Sequence, residues 1–276
     1  MGLTVKLVPF FISFDADQRS IHLKITFLGT GTSQGIPVIG CPCSVCKSPD
    51  PKDKRLRVSI WVQTKDKSIV IDSGPDFRYQ MLRAGVDNLD AILYTHEHKD
   101  HIAGLDDIRP YNYLLQKRID IYAVERVQEA LRREFQYIFS DVKYPGLPQI
   151  NLNTIALQDF NVGDTTITPI EVMHYKMPVL GFRLGNFTYI TDAKTISAAS
   201  MDKIRGTKIL VLNALQRESH ISHFTLSEAL AVAKEVGAER TYLTHISHNL
   251  GQHQIVSREL PSNVALAYDG LSFDMD

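Results

Sequence analysis

The chain has 276 residues, 44% of them hydrophobic, and a formal net charge of −1. That length can bury a large α/β core, and the balanced charge excludes the general pull toward nucleic acid or anionic membrane that a strongly basic chain has. No apolar stretch is long enough to span a bilayer, and three cysteines confined to residues 41–46 do not make a disulfide framework; a cytoplasmic chain with a thiolate metal site is the expectation.

In chain order, residues 1–21 read as an N-terminal extension. Their apolar run, Leu7-Val8-Pro9-Phe10-Phe11-Ile12, is short, broken by proline and followed by no small-residue cleavage site. Leu23 to Leu28 alternates as a first strand and ends in Gly29-Thr30-Gly31-Thr32-Ser33, a glycine-rich turn. No Gly-Lys-Ser/Thr follows, so the turn is not a nucleotide P-loop. From Gly35 to Arg55 runs a long loop rich in Pro, Cys and Lys. A loop of that length needs something to pin it, and Cys41, Cys43 and Cys46 are the candidates. Lys52, Lys54, Arg55 and Arg57 read as a solvated loop or strand start.

Arg57 to Thr64 and Ser68 to Asp72 look like paired strands, and a helix from Asp76 to Ala84 stops at Gly85. Leu89 to Tyr94 is a short apolar run, a buried strand. It leads into Thr95-His96-Glu97-His98-Lys99-Asp100-His101, which holds three of the ten histidines within six residues. Such a cluster at a strand end lies where α/β folds build their sites. A tight loop can turn His96 and His98 toward one point and Asp100 and His101 toward another. Imidazole and carboxylate together suit zinc, manganese or iron(II) better than calcium.

Ile119 to Ala123 reads as a strand and Glu125 to Glu134 as a helix. Residues 135–148, with Tyr137, Phe139, Tyr144, Pro145 and Pro148, read as an ordinary surface connection rather than a substrate-covering loop. Strands follow at Ile150 to Leu157, Thr165 to Met173, Leu180 to Leu184 and Phe187 to Thr191, then a helix from Thr195 to Ile204 and a buried strand from Lys208 to Leu212. Thr225-Leu226-Ser227-Glu228 is a capping-box pattern opening a helix that runs to Gly237. A strand from Arg240 to Thr244, a helix from Asn249 to Arg258 and a strand from Val264 to Tyr268 complete the chain. With no repeat or linker, a single domain over 1–276 is the simplest organisation. His174, Asp192 and His245 each follow a strand, and with the histidine motif they complete two metal shells. His22, His220 and His253 belong to no motif and read as ordinary residues.

The order His-x-His-x-Asp-His (96–101), then His174, Asp192 and His245, resembles the metallo-β-lactamase-fold hydrolases from Leu28 to the C-terminus. The resemblance implies an α/β fold, a four-layer αββα sandwich. It further implies that His96, His98 and His174 bind one divalent metal, Asp100, His101 and His245 a second, and that Asp192 bridges them. The ligands fit Zn2+ and Mn2+ alike. Asp72, in Asp-x-Gly, matches the family's structural carboxylate, which orients the histidine loop from behind the ligands. His101 and Asp192 set the chain apart from true β-lactamases, and the short segment after His245 leaves no helical substrate domain of the glyoxalase II kind.

Two local patterns resemble the PhnP-like cyclic phosphodiesterase branch: Cys41-Pro42-Cys43-Ser44-Val45-Cys46 with His248, and His223 in Ser222-His223-Phe224-Thr225-Leu226. Three thiolates need one more ligand to close a tetrahedral zinc shell; by the resemblance His248 supplies it and the zinc is structural. The resemblance also implies hydrolysis of small phosphodiesters, cyclic ribosyl or nucleotide phosphates, by a hydroxide held between the two metals. Asp100 and His223 are the catalytic residues this implies, His223 protonating the leaving oxygen or hydrogen-bonding the phosphoryl group. The expected partner is a small phosphodiester, not nucleic acid or membrane, and members of this branch are often homodimers. The alternatives are a tRNase Z-type endoribonuclease, against which stand the missing glycine- and proline-rich arm and the lack of a strong basic face, and a metal-dependent binding protein without turnover.

Overall fold

The computed structural model describes residues 22–141 and 144–276; the expected N-terminal extension and its apolar run lie outside the described residues. The strands are β1 (Leu23–Gly29), β2 (Ser59–Gln63), β3 (Ser68–Ile71), β4 (Ala91–Leu93), β5 (Ile119–Ala123), β6 (Ile150–Thr154), β7 (Phe160–Val162), β8 (Thr165–His174), β9 (Met177–Leu184), β10 (Phe187–Tyr189), β11 (Ile209–Asn213), β12 (Arg240–Thr244), β13 (Val264–Leu266) and β14 (Ser272–Met275). They form two seven-stranded sheets, ordered β14-β1-β2-β3-β4-β5-β6 and β13-β12-β11-β10-β9-β8-β7. Each sheet starts as antiparallel strands and continues as parallel ones, β3 to β6 in the first and β10 to β13 in the second. Parallel strands need crossover helices. Those helices are α1 (Phe77–Ala84), α2 (Lys99–Ile102), α3 (Arg109–Leu115), α4 (Glu125–Glu134), α5 (Gln136–Phe139), α6 (Ala198–Ile204), α7 (Leu226–Val236) and α8 (His253–Ser257).

The apolar residues sort into three buried layers, which is what four stacked layers of backbone require. In β3, Ile69 and Ile71 face the core between the sheets, and Val70 faces α1 and its neighbours. In β11 the same period-2 alternation sends Val211 between the sheets and Leu210 and Leu212 toward α6 and α7. The fold is thus the αββα sandwich of an α/β protein.

Local signals act as the sequence predicts at several ends. Thr225 caps α7 in a complete capping box with Glu228, and α7 and α1 end on Gly237 and Gly85 in left-handed conformation. Elsewhere the structure differs. The helix expected over Asn249 to Arg258 is only α8, because Gly251 at φ 117° interrupts its start. Residues 135–148 include the short helix α5 among their described members. A cavity of about 560 Å³ beside this segment is lined by Arg118, Arg132, Phe139 and Tyr144 but by none of the metal-ligand candidates. Arg55 is not solvated: it is 3% exposed, bonded to Thr30, to the Ala267 carbonyl and to His253. His253 is likewise buried, its backbone N–H donating to Asp53.

Candidate metal centre

Ligand-type side chains from both sheets meet at one rim of the sandwich. The first sheet contributes Asp72, which follows β3, and the histidine loop after β4. The second contributes His174 at the end of β8, Asp192 beyond β10 and His245 directly after β12. Three of these residues leave their strands in the left-handed region: Asp72 at φ 64°, Asp192 at 56° and His245 at 54°. Such a conformation costs a non-glycine residue on the order of 1–3 kcal/mol and persists only where the surroundings fix it. Here it turns each strand end sharply, and each of the three side chains ends among the clustered histidines and carboxylates.

Two groups result. Donor atoms of His96, His98, His174 and Asp192 lie within 4.8 Å of one another, as do those of Asp100, His101 and His245. Asp192 faces both. Its Oδ1 lies 3.4 Å from His101 Nε2 and 3.3 Å from His245 Nε2, while its Oδ2 lies 3.9 Å from His96 Nε2. Asp100 Oδ2 lies 3.3 Å from His101 Nε2 and 3.6 Å from His245 Nε2.

The surrounding hydrogen bonds decide which ring nitrogens are free. Asp72, fully buried, accepts from the Thr95 backbone N–H at 2.9 Å, from the Thr95 hydroxyl at 2.9 Å and from His101 Nδ1 at 2.7 Å. His101 therefore offers Nε2. With its proton given to Asp72, the Thr95 oxygen accepts from His96 Nδ1 at 2.9 Å, leaving His96 Nε2 as a lone pair. His174 Nδ1 donates to the Ser222 carbonyl at 2.8 Å and leaves its own Nε2. His98 turns Nδ1 toward His96 Nε2, 3.0 Å away. Thr95 and Ser222, which orient candidate ligands through these bonds, carry no signal of that role in the sequence.

The residues fit a pair of divalent cations. His101 Nε2 and both nitrogens of His245 are buried without a hydrogen-bond partner, which is costly unless something else binds them. Burial alone would lower His101, but Asp100, Asp72 and Asp192 push it well above the usual histidine range; the pocket favours positive charge at that point. Burial would raise Asp192, yet His245 and His101 hold it well below the ordinary carboxylate range, and His101 does the same for Asp100. Burial and the neighbouring His101 keep His96 neutral.

His223, just before α7, joins this centre. Its Nε2 lies 3.1 Å from Asp192 Oδ2, and its Nδ1 lies 3.0 Å from Ser222 Oγ and 3.2 Å from His220 Nδ1. Burial pushes His223 down to about 4, and cations nearby would disfavour its charged form further. His220, without a motif in the sequence, is thus a neighbour of the centre rather than an ordinary residue.

The cysteines form a separate group with His248. His248 Nδ1 lies 3.3 Å from Cys41 Sγ, 3.4 Å from Cys43 Sγ and 3.7 Å from Cys46 Sγ. Zinc bonds of about 2.3 Å to sulfur and 2.05 Å to nitrogen, set tetrahedrally, give an S···N edge of about 3.6 Å, so the four atoms fit a zinc ion. Backbone N–H groups of Val38 and Cys46 donate to the Cys46 and Cys43 sulfurs, as thiolates require.

Residues 67–246 match the family model of the beta-lactamase superfamily domain. An octanoyltransferase of Porphyromonas gingivalis is 38% identical over 257 residues, 92% of this chain; the chain spans about half, 52%, of that relative's length. Ribonuclease Z of Methanopyrus kandleri is 24% identical over 301 residues, 91% of this chain and 97% of that protein. A solved structure described as a new diphosphatase from the PhnP family superposes with a TM-score of 0.87 at 40% identity, covering 92% of this chain and 98% of that one. Zinc-bound PqqB from Methylobacterium extorquens, at 19% identity, 91% coverage of this chain, 100% of that one and a TM-score of 0.74, shares the fold.

Proposed function

The chain belongs to the beta-lactamase superfamily and to its PhnP family, and on that footing we propose that it is a dinuclear metallophosphodiesterase acting on small diesters, cyclic ribosyl or nucleotide phosphates. That it is a metal-dependent hydrolase follows from the family. The finer reading is supported above all by Asp192, which turns one oxygen toward each ligand group.

In this reading His96, His98 and His174 would hold one cation, Asp100, His101 and His245 the other, and Asp192 would serve both. Bound there, two cations would supply Lewis acidity and would make water more acidic at the centre. The chain's own residues do the rest. Asp72 and Thr95 fix the tautomers of His101 and His96, and the Ser222 carbonyl fixes that of His174. His223, neutral and with Nε2 turned into the centre, donates a hydrogen bond to a phosphoryl oxygen on which charge accumulates; its lowered pKa favours this role over proton transfer to the leaving group. Asp100 acts as a ligand. Cys41, Cys43, Cys46 and His248 hold a structural Zn2+ that ties the 35–55 loop to the segment carrying His245.

The PhnP-family diphosphatase motivates a second substrate class, phosphoric anhydrides. The deciding experiment measures metal per chain together with hydrolysis of bis(p-nitrophenyl) phosphate, 2′,3′-cyclic nucleotides and dinucleoside diphosphates. Three metals with turnover of the cyclic diesters support the proposal. Turnover of the anhydrides alone replaces its substrate, salt-sensitive RNA cleavage replaces it with an endoribonuclease, and fewer than three metals overturns the assignment of sites.

A further inference from the structure

We propose that Arg126 is a positioning residue: a clamp that holds the two sheets in register across the first ligand group and thereby sets how tightly that group binds its cation. The inference rests on the dinuclear reading above and concerns a residue that touches no reacting atom.

The first ligand group is assembled from both sheets, His96 and His98 from the loop after β4 and His174 from the β8–β9 hairpin. Arg126, at the second position of α4, reaches both. Its Nη1 donates to Glu97 Oε1 at 2.6 Å, and Glu97 stands between His96 and His98. Its Nη2 donates to the Pro178 carbonyl at 2.6 Å. Pro178 pairs with Met173, and the next register pair is His174 with Met177. One planar guanidinium thus ties the two segments that carry three of the four ligands. Beside it the two sheets share a backbone link, the Leu180 N–H donating to the Thr95 carbonyl at 3.0 Å.

Glu97 depends on this contact. Its side chain is 21% exposed, and its second oxygen, Oε2, is buried with no hydrogen-bond partner. Among the described residues no other cation pairs with this carboxylate, so without Arg126 it turns toward water, and the peptide between His96 and His98 turns with it. The rigid fork of arginine can serve both acceptors at once, which the single ammonium of lysine cannot do in the same geometry. As a surface ion pair, with Arg126 37% exposed, the contact adds little to global stability. A clamp and a mere surface bridge therefore differ in what they change.

The test uses the whole chain, stripped of metal and titrated with Mn2+, whose resonance distinguishes a spin-coupled pair from single ions. Wild type is compared with Arg126→Gln, Arg126→Lys and Glu97→Gln, and the melting temperature of each stripped protein is recorded. For Arg126→Gln we expect one of the two Mn2+ to bind about 10- to 100-fold more weakly, uncoupled Mn2+ to appear at half loading, and the stripped melting temperature to hold. Arg126→Lys falls between, and Glu97→Gln with Arg126→Gln is no worse than Arg126→Gln alone, since the two act as one unit. Unchanged pair formation in Arg126→Gln overturns the clamp alone. Equal weakening of both ions together with a lowered stripped melting temperature also overturns it, because that is general destabilisation. A wild-type chain that never forms a coupled pair overturns the dinuclear reading first, so the two failures are distinguishable.

Discussion

Asp72→Asn isolates the tautomer control behind the second ligand group. The carboxylate accepts three hydrogen bonds, from the Thr95 backbone, the Thr95 hydroxyl and His101 Nδ1. An amide has one acceptor oxygen and one donor nitrogen. If the oxygen stays on the Thr95 N–H, the NH2 group faces His101 Nδ1, which must then give up its proton; the proton moves to Nε2, the atom turned toward Asp100 and Asp192. If the amide flips, two donors meet at the Thr95 N–H, and leaving such a pair buried costs about 1–3 kcal/mol. Either way His101 becomes a poorer ligand, while the side-chain volume hardly changes. Loss of a partner of this kind lowers metal affinity about 10- to 100-fold, roughly 1.4–2.7 kcal/mol. For a chain of this size that shrinks the gap between metal-loaded and metal-stripped melting temperatures by roughly 3–10 °C. The assay is thermal unfolding of wild type and variant in both states, with a metal titration beside it. An unchanged gap would refute the reasoning, because it would mean that His101 presents Nε2 to the metal without help from Asp72.

Gly74→Ala tests the close approach of the Asp72 segment to the histidine helix: an added Cβ would sit 2.0 Å from the Asp100 carbonyl, so the backbone must move, and unfolding experiments should show a loss of about 1–3 kcal/mol; wild-type stability would contradict this packing. In the metal-stripped chain the Cys46 N–H and His248 hold the Cys43 thiol down to about 6, whereas burial pushes Cys46 up to about 11. A thiolate exists above its pKa and is the reactive form, so peptide mapping after alkylation at neutral pH should find Cys43 modified before Cys46, and acidification through pH 6 should slow Cys43; equal rates would count against the assignment. Tyr175→Gly should raise the melting temperature by about 2–4 °C, since Tyr175 sits at φ 58° with its ring half exposed and relief of a left-handed conformation is worth about 1 kcal/mol or more; a fall would show that the ring holds something the backbone strain serves.

The sequence expresses the sandwich best where one face of an element is buried and the other is open. Ile119–Ala123, Glu125–Glu134 and Arg240–Thr244 have the bounds expected of them, because each keeps one apolar period, alternating in the strands and helical at Val127, Ala130 and Leu131. Edge and strand-poor regions are less legible. β14 was not expected, although Ser272-Phe273-Asp274-Met275 alternates; four half-exposed residues carry too little pattern until β1 is there to pair with them. α3 was not among the expected elements; its Pro110 stands in the first turn, where its missing N–H costs nothing. At the site, the ligand types and their strand-end positions are legible, but their division into two facing groups is not, since it depends on left-handed turns at Asp72, Asp192 and His245. Aspartate and histidine enter the left-handed region more often than other non-glycine residues, but that preference is too weak to mark a turn at Asp72, Asp192 or His245. His220 had one signal, its spacing of three from His223 in a loop, and that spacing has no meaning without the loop's shape.

The two candidate metal sites share one piece of backbone. His245 faces the dinuclear centre and His248 the cysteines, three residues apart. Between them Ile246 is held from both sides, its N–H donating to the Thr30 carbonyl at 2.9 Å and its carbonyl accepting from the Thr32 N–H at 3.1 Å. The left-handed turn at His245 is therefore fixed downstream by a bridge to the first strand's loop and, beyond it, by whatever holds His248. Ordering the 35–55 loop costs on the order of 1–2 kcal/mol per residue in backbone entropy, and that loop contributes few residues to the core: Ile36, Val45 and Cys46. A zinc ion held by the three thiolates and His248 would offset that cost by closing the loop onto the 244–248 segment. Its binding energy would then be partly spent on holding His245 in its left-handed conformation, so a cation at the cysteines would adjust the geometry of the candidate dinuclear centre.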